Sequence, residues 1–231
     1  MKICPEPATK QVTKKILDQI NNLFVKINEN DNNYNIGIFC HLNYKKKDIP
    51  VIIINNHKVE DDIINVTINN KKKKTEFGDT IYKNKEYNFS ILEIKENTED
   101  KLHFSEIDDN LLLKEPEMHY NNQSIYSLQF IDEKDICVSY GVINDVNKSQ
   151  IRYSCNLTNN SKLSFLFNLS NNKLIGFHQN GFNCFNRGIF ISFLINEFLK
   201  IKRHKNLQNS ENEINLSIKV DKSNINKKYF F

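Results

Sequence analysis

Val51-Ile52-Ile53-Ile54-Asn55-Asn56-His57 is the stretch on which the reading of this chain turns. Four consecutive apolar residues, all β-branched, make a run too short for a helix and suited to a buried strand. The Asn pair ends the run and leaves a histidine just beyond it. Two later stretches share this form, a polar turn set against an apolar run. They are Tyr87-Asn88-Phe89-Ser90-Ile91 and Asn160-Ser161-Lys162-Leu163-Ser164-Phe165.

Working outward, short apolar runs recur along the chain: Ile36–Leu42, Ile49–Ile54, Ile63–Ile68, Phe89–Ile94, Ser124–Ile131, Ile136–Ile143, Leu163–Leu169, Lys173–His178 and Gly188–Ile191. They are rich in Ile, Val, Phe and Tyr and are separated by Asn, Asp and Lys, the pattern of an antiparallel sandwich or barrel. Residues 8–27 place Val12, Ile16, Ile20, Leu23, Phe24 and Ile27 at three- and four-residue steps, which predicts a helical lead-in over 1–22 with a strand from about Leu23. Ile195–Lys202 reads as a closing helix. The expected organisation is a lead-in (1–22), a β domain (23–203) with halves near 23–110 and 120–203, and a polar linker with one strand-like run, Ile214–Val220, in 204–231.

Composition narrows the function classes. The 231 residues carry a net charge of +4, with 32 Lys+Arg against 28 Asp+Glu, so no strong global field points to nucleic acid or to an anionic surface. The densest basic runs, Lys71–Lys74 and Lys45–Lys47, each fall between two predicted strands and lack interleaved aromatics. They read as solvated hairpin tips rather than nucleic-acid sites. The N-terminus has no apolar h-region and no run is long enough for a membrane span, so the expectation is a cytoplasmic protein without membrane contact. Five scattered cysteines (Cys4, Cys40, Cys137, Cys155, Cys184) without a CxxC pair read as reduced thiols, and neither a metal site nor a cofactor is expected.

With these strands placed, residues 23–200 resemble the trypsin-like (chymotrypsin-fold) serine peptidases, closest to a short intracellular-type branch. The resemblance is carried by Asn35-Ile36-Gly37-Ile38-Phe39-Cys40, Ile54-Asn55-Asn56-His57-Lys58-Val59, Asn88-Phe89-Ser90-Ile91-Leu92-Glu93-Ile94-Lys95, Asn160–Leu169 and Leu174-Ile175-Gly176-Phe177-His178. It implies a mainly β fold, a trypsin-like double β-barrel with short N-terminal and C-terminal helices.

The resemblance also implies degenerate catalytic residues. Acyl transfer on this fold uses a serine whose proton passes to a histidine that a carboxylate orients. His57 matches the histidine position, Asn88 the aspartate position and Lys162 the serine position. In a serine-protease triad an Asp-to-Asn change of this kind lowers turnover about 10⁴-fold. Asn160 and Leu163 fall at oxyanion-loop positions that the family fills with glycine, and a left-handed Leu163 would be strained. Gly176 and His178 match positions along the substrate cleft, although His178 reads equally well as a hydrogen-bonding residue at a strand end.

Other nucleophiles and carboxylates are weaker candidates. Ser161 or Ser164 would need a shift of register, and Asp108 or Asp109 lies well past the Asn88 strand and reads as a turn residue. Cys155 is too far upstream of the loop, a Cys184–His178 pair has no oxyanion motif beside it, and Lys162 as an amine nucleophile would need a depressed pKa. The expectation is therefore a pseudoprotease that binds a peptide or protein in its former cleft, with a divergent endopeptidase using His57 and Ser161 or Ser164 as the alternative.

Overall fold

The computed structural model describes residues 4–30, 33–44, 47–54, 63–68, 71–95, 102–113, 115, 117–131, 135–147, 149–157, 161–179 and 186–205. The chain opens with helix α1 (Lys10–Asn22), capped by Thr9, whose hydroxyl oxygen accepts from the Val12 amide at 3.3 Å. Six strands follow: β1 (Phe24–Asn30), β2 (Asn33–Tyr44), β3 (Lys47–Ile54), β4 (Ile63–Ile68), β5 (Lys71–Asn84) and β6 (Phe89–Ile94). They close into an antiparallel barrel in the order β1-β2-β3-β6-β5-β4. After a linker, a 3₁₀ turn (Asp109–Leu112) and the short helix α2 (Glu117–Tyr120), the pattern repeats. The second set is β7 (Ser124–Ile131), β8 (Asp135–Asn147), β9 (Gln150–Ser154), β10 (Ser161–Asn168), β11 (Leu174–Gln179) and β12 (Asn186–Phe190). These close as β7-β8-β9-β12-β11-β10, the same strand order shifted by six. Helix α3 covers 191–205. This is the trypsin-like double β-barrel expected from the sequence, with a helix before the first barrel and another after the second. Among the described residues, no helix is long and apolar enough to cross a membrane.

Val51–Ile54 is apolar at every position because both faces of β3 are covered. Ile52 and Ile54 join Val25, Ile27, Phe39, Leu92 and Ile94 in one buried cluster. Val51 and Ile53 belong instead to the larger core, which runs without interruption into the second barrel. Aromatic contacts mark that junction. Phe24 meets Phe130 edge-on at 5.0 Å and Phe165 at 5.6 Å, while Phe89 lies against Phe177 at 3.7 Å between ring centroids. On α3, Lys202 grips both carboxylate oxygens of Glu93 at 2.6 Å, so the last helix is tied back to β6 of the first barrel.

The linker is fixed by a buried polar node. Asp108 is 1% exposed, and its carboxylate accepts from the Asn110 amide (3.1 Å), Asn168 Nδ2 (2.8 Å) and Asn171 Nδ2 (3.2 Å). Its own amide donates to the Leu174 carbonyl. The expected turn residue is therefore also the pin between the linker and the β10–β11 connection.

Two expectations are corrected. Lys71–Lys74 is not a hairpin tip but the opening of β5, paired residue for residue with Ile68 back to Asn65 on β4. A ladder formed through backbone groups tolerates four lysines where side-chain pattern alone predicts none. β9 was likewise unmarked in the sequence, because Gln150–Ser154 offers only two buried residues, Ile151 and Tyr153.

The β5–β6 hairpin closes with Asn84 paired to Phe89 and a four-residue loop between them. Asn84 Oδ1 accepts from the Tyr87 amide, and Asn88 takes the left-handed conformation at φ 54°. Asparagine suits that position, and a Cβ without a polar head does not. We expect Asn88→Gly to change stability by less than about 0.5 kcal/mol and Asn88→Ala to cost about 1 kcal/mol. Urea unfolding with the order reversed would show that the asparagine is not held for its backbone. Asp108→Ala should cost about 3 kcal/mol by stranding buried donors, whereas removing the exposed Lys200–Glu197 pair by Lys200→Ala should stay within about 0.5 kcal/mol. Comparable effects of the two would refute the role given to Asp108.

Candidate functional site

The junction between the barrels is where sequence reasoning places a site, and its described wall is built from three turns or strand ends. The β5–β6 turn contributes Asn88, which is exposed. Both of its neighbours are anchored on the second barrel's side: Phe89 on Phe177 of β11, and Tyr87 on Phe193 of α3 at 5.9 Å. Asn88 and His178 each adjoin, along the chain, one partner of that single aromatic contact. His57 and Asn160 lie outside the described residues, as does Cys184.

Ser161, Lys162 and Leu163 open strand β10. The β7–β10 ladder pairs Ser161 with Ile131 and then Ser164 with Gln129, three steps on one strand against two on the other. The extra residue is a β-bulge at Lys162–Leu163. No left-handed backbone occurs there: among the described residues, positive φ is found at Asn88, Asn122 and Asn172 alone. The strain expected at Leu163 is thus absent, because the segment is a strand rather than a tight turn. The chemical consequence matters more. An oxyanion hole needs neighbouring N–H groups converging on one point in the cleft. In a strand the N–H groups on the β7 side face that strand's backbone and not an open cleft.

Ser164 is wholly buried, which keeps its hydroxyl away from solvent. Asp108 serves the linker node already described, and Asp109 holds Lys173 at 2.7 Å. Cys155 is buried, with its thiol directed at the Ser139 carbonyl at 3.8 Å, and burial pushes its pKa up to about 12, the mark of an inert thiol. Among the described residues, no group of three or more His, Cys, Asp or Glu is arranged to hold a metal ion.

Gly176 and His178 sit two residues apart on β11. A Cβ at Gly176 would come within 2.2 Å of the Ile189 carbonyl oxygen, so this glycine is required by the close approach of β12. His178 is half-buried, and its Nδ1 lies 2.8 Å from the hydroxyl of Tyr153, a fully buried residue on β9. Burial holds the Tyr153 phenol well above its ordinary pKa, so the hydroxyl stays protonated, and the direction of the bond follows the imidazole tautomer. Desolvation also lowers the His178 pKa below 6.5, opposed in part by the Arg187 carbonyl beside the ring. His178 is therefore a neutral imidazole near pH 7. Tyr153 is the partner that sequence reasoning missed. It stands 25 residues from His178, and only the strand order brings the two together.

A separate polar cleft lies at the far end of β10, lined by Gln19, His103, Glu106, Asn172 and Lys173 among others. Its groups are largely paired with one another. Gln19 donates to the Asn172 carbonyl and accepts from Tyr126, and Lys173 bridges Asp109 and Glu106.

No protein-family model matches the chain. No curated protein matches it. Among solved structures, the crystal structure of the serine endoprotease from Yersinia pestis aligns over 86% of this chain and 68% of its own, with a TM-score of 0.56 and 14% identity. At that identity the likeness speaks for the chymotrypsin-like fold alone.

Proposed function

We propose that this chain is a catalytically inactive trypsin-like domain whose former substrate cleft binds an extended peptide or a segment of another protein. The observation that carries the reading is the backbone of β10. Residues 161–168 form a paired strand with a bulge, where acyl transfer would need a left-handed turn presenting a hydroxyl and two convergent N–H groups. Lys162 stands at the position where that turn would carry the nucleophile, and it brings no hydroxyl. Asn88 at the carboxylate position is exposed and answers a backbone requirement of its own turn.

The binding half of the proposal draws on the edge of β11. Its ladder with β10 ends at Phe165–Phe177, while β11 continues through His178 and Gln179 against β12. The proposed peptide would add as a strand beside this end of β11, the mode by which extended peptides gain main-chain hydrogen bonds. Peptide partners of this kind need no cofactor.

A fluorophosphonate probe tests the catalytic half. The wild-type protein and Lys162→Ser should both remain unlabelled and hydrolyse activated esters at the buffer rate, since restoring a hydroxyl does not restore the turn. Stoichiometric labelling of wild type that His57→Ala abolishes would overturn this and favour a divergent endopeptidase using Ser161 or Ser164. For the binding half, peptides selected from a random library should weaken about tenfold when alternate amides are N-methylated. Indifference to N-methylation would exclude strand addition.

A further inference from the structure

We propose that the polar cleft between α1, the linker and the β10–β11 turn binds a small free α-amino acid in its zwitterionic form. The cleft has a volume of about 170 Å³. A cavity of about 150 Å³ admits a benzene-sized ring, so this one suits a molecule of about six to eight non-hydrogen atoms. Its walls are held by bonds of their own. Gln19 of α1 donates to the Asn172 carbonyl and accepts from Tyr126, and Asn172 is left-handed at φ 61°. The linker is held on both sides. The Ser105 amide donates to the Phe39 carbonyl of the first barrel, and the Glu106 carbonyl accepts from the Leu174 amide of the second. Walls already ordered lose little entropy when a ligand enters.

The ligand class follows from what these walls leave unused. Two lysines, Lys15 and Lys173, and two carboxylates, Asp18 and Glu106, line the cleft. Their charges cancel, so an ion of one sign finds no net field, whereas a molecule carrying both signs matches them pairwise. Lys173 is committed to Asp109 and Glu106. Lys15 and His103 have no hydrogen-bond or ion-pair partner among the described residues. Ser105 is 4% exposed, and its hydroxyl is the one buried side-chain group on this cleft that lacks a partner. These three donors suit a carboxylate. Asp18 accepts from the neutral Asn22 side chain, and Glu106 shares Lys173 with Asp109, so both keep oxygens for an ammonium group. Lys15 and Asp18 are three residues apart on α1, which sets opposite charges side by side on one face, as they stand in an α-amino acid. Leu23 and Phe104 add an apolar wall for a short side chain. The inference does not rest on the proposed peptide site, which lies at the His178 end of β11.

Titration of the full chain with millimolar L-alanine, L-serine and L-valine, followed through backbone amide NMR shifts, tests the proposal. At least one of the three should give saturable shifts concentrated at residues 15–23, 103–106 and 171–173. The amide of that amino acid lacks the carboxylate, and its N-acetyl derivative lacks the ammonium group. Each should bind at least about tenfold more weakly than the parent. Lys15→Gln and Asp18→Asn should each weaken the parent amino acid about tenfold as well. Both positions are exposed on α1, so both variants should keep the wild-type spectrum away from the cleft. The absence of saturable shifts with all three amino acids would overturn the proposal. So would equal binding of the singly charged derivatives, or affinity indifferent to both substitutions.

Discussion

The aromatic seam between the two barrels is the contact on which the remaining geometry depends. Phe24 reaches from β1 to Phe130 and Phe165, and Phe89 reaches from β6 to Phe177. Each barrel closes its own hydrogen-bond ladder, so backbone pairing alone does nothing to orient one against the other. Burial of large rings at the seam does, and aromatic pairs add about 0.5–1.5 kcal/mol each beyond the area they bury. The half-buried Lys202–Glu93 pair and the Asp108 node then tie down the two chain crossings, α3 and the linker. Anything that lies between the barrels takes its position from these contacts. Asn88 is the plainest case, since both of its neighbours are part of the seam.

A fold built this way can keep its cleft while losing its chemistry. The rings at the seam, the tight approach at Gly176 and the polar pin at Asp108 all serve packing. Each would be retained whether or not a nucleophile were present. Under the proposed alignment, the catalytic turn of the trypsin-like fold falls on the first part of β10. In that proposal residues 161–164 join β7 through a bulge, and replacing a single side chain would not rebuild an oxyanion geometry, because the difference lies in the backbone.

The residues differ in how far they could be read in advance. β3 was visible because a run of four apolar residues has few other fates, and β6 because apolar residues fill four of its six positions. The start of β5 was hidden by its own lysines: a strand defined by backbone ladders leaves no mark where its side chains are all polar. Asn88 drew attention as a substituted catalytic residue, yet a left-handed turn explains it without reference to catalysis. Leu163 was expected to be strained on the assumption that the turn of an active enzyme persists. The extended conformation removes the strain and the turn together.

The sequence by itself determined the two barrels, since apolar periodicity is a local property carried along the chain. Only the tertiary structure decided what surrounds them. The pairing of Tyr153 with His178 across Gly188, the burial of Ser164 and the bulge at Lys162–Leu163 all depend on which strands lie side by side and in what register. Register is set by the closure of the whole barrel, and no short stretch of sequence encodes it.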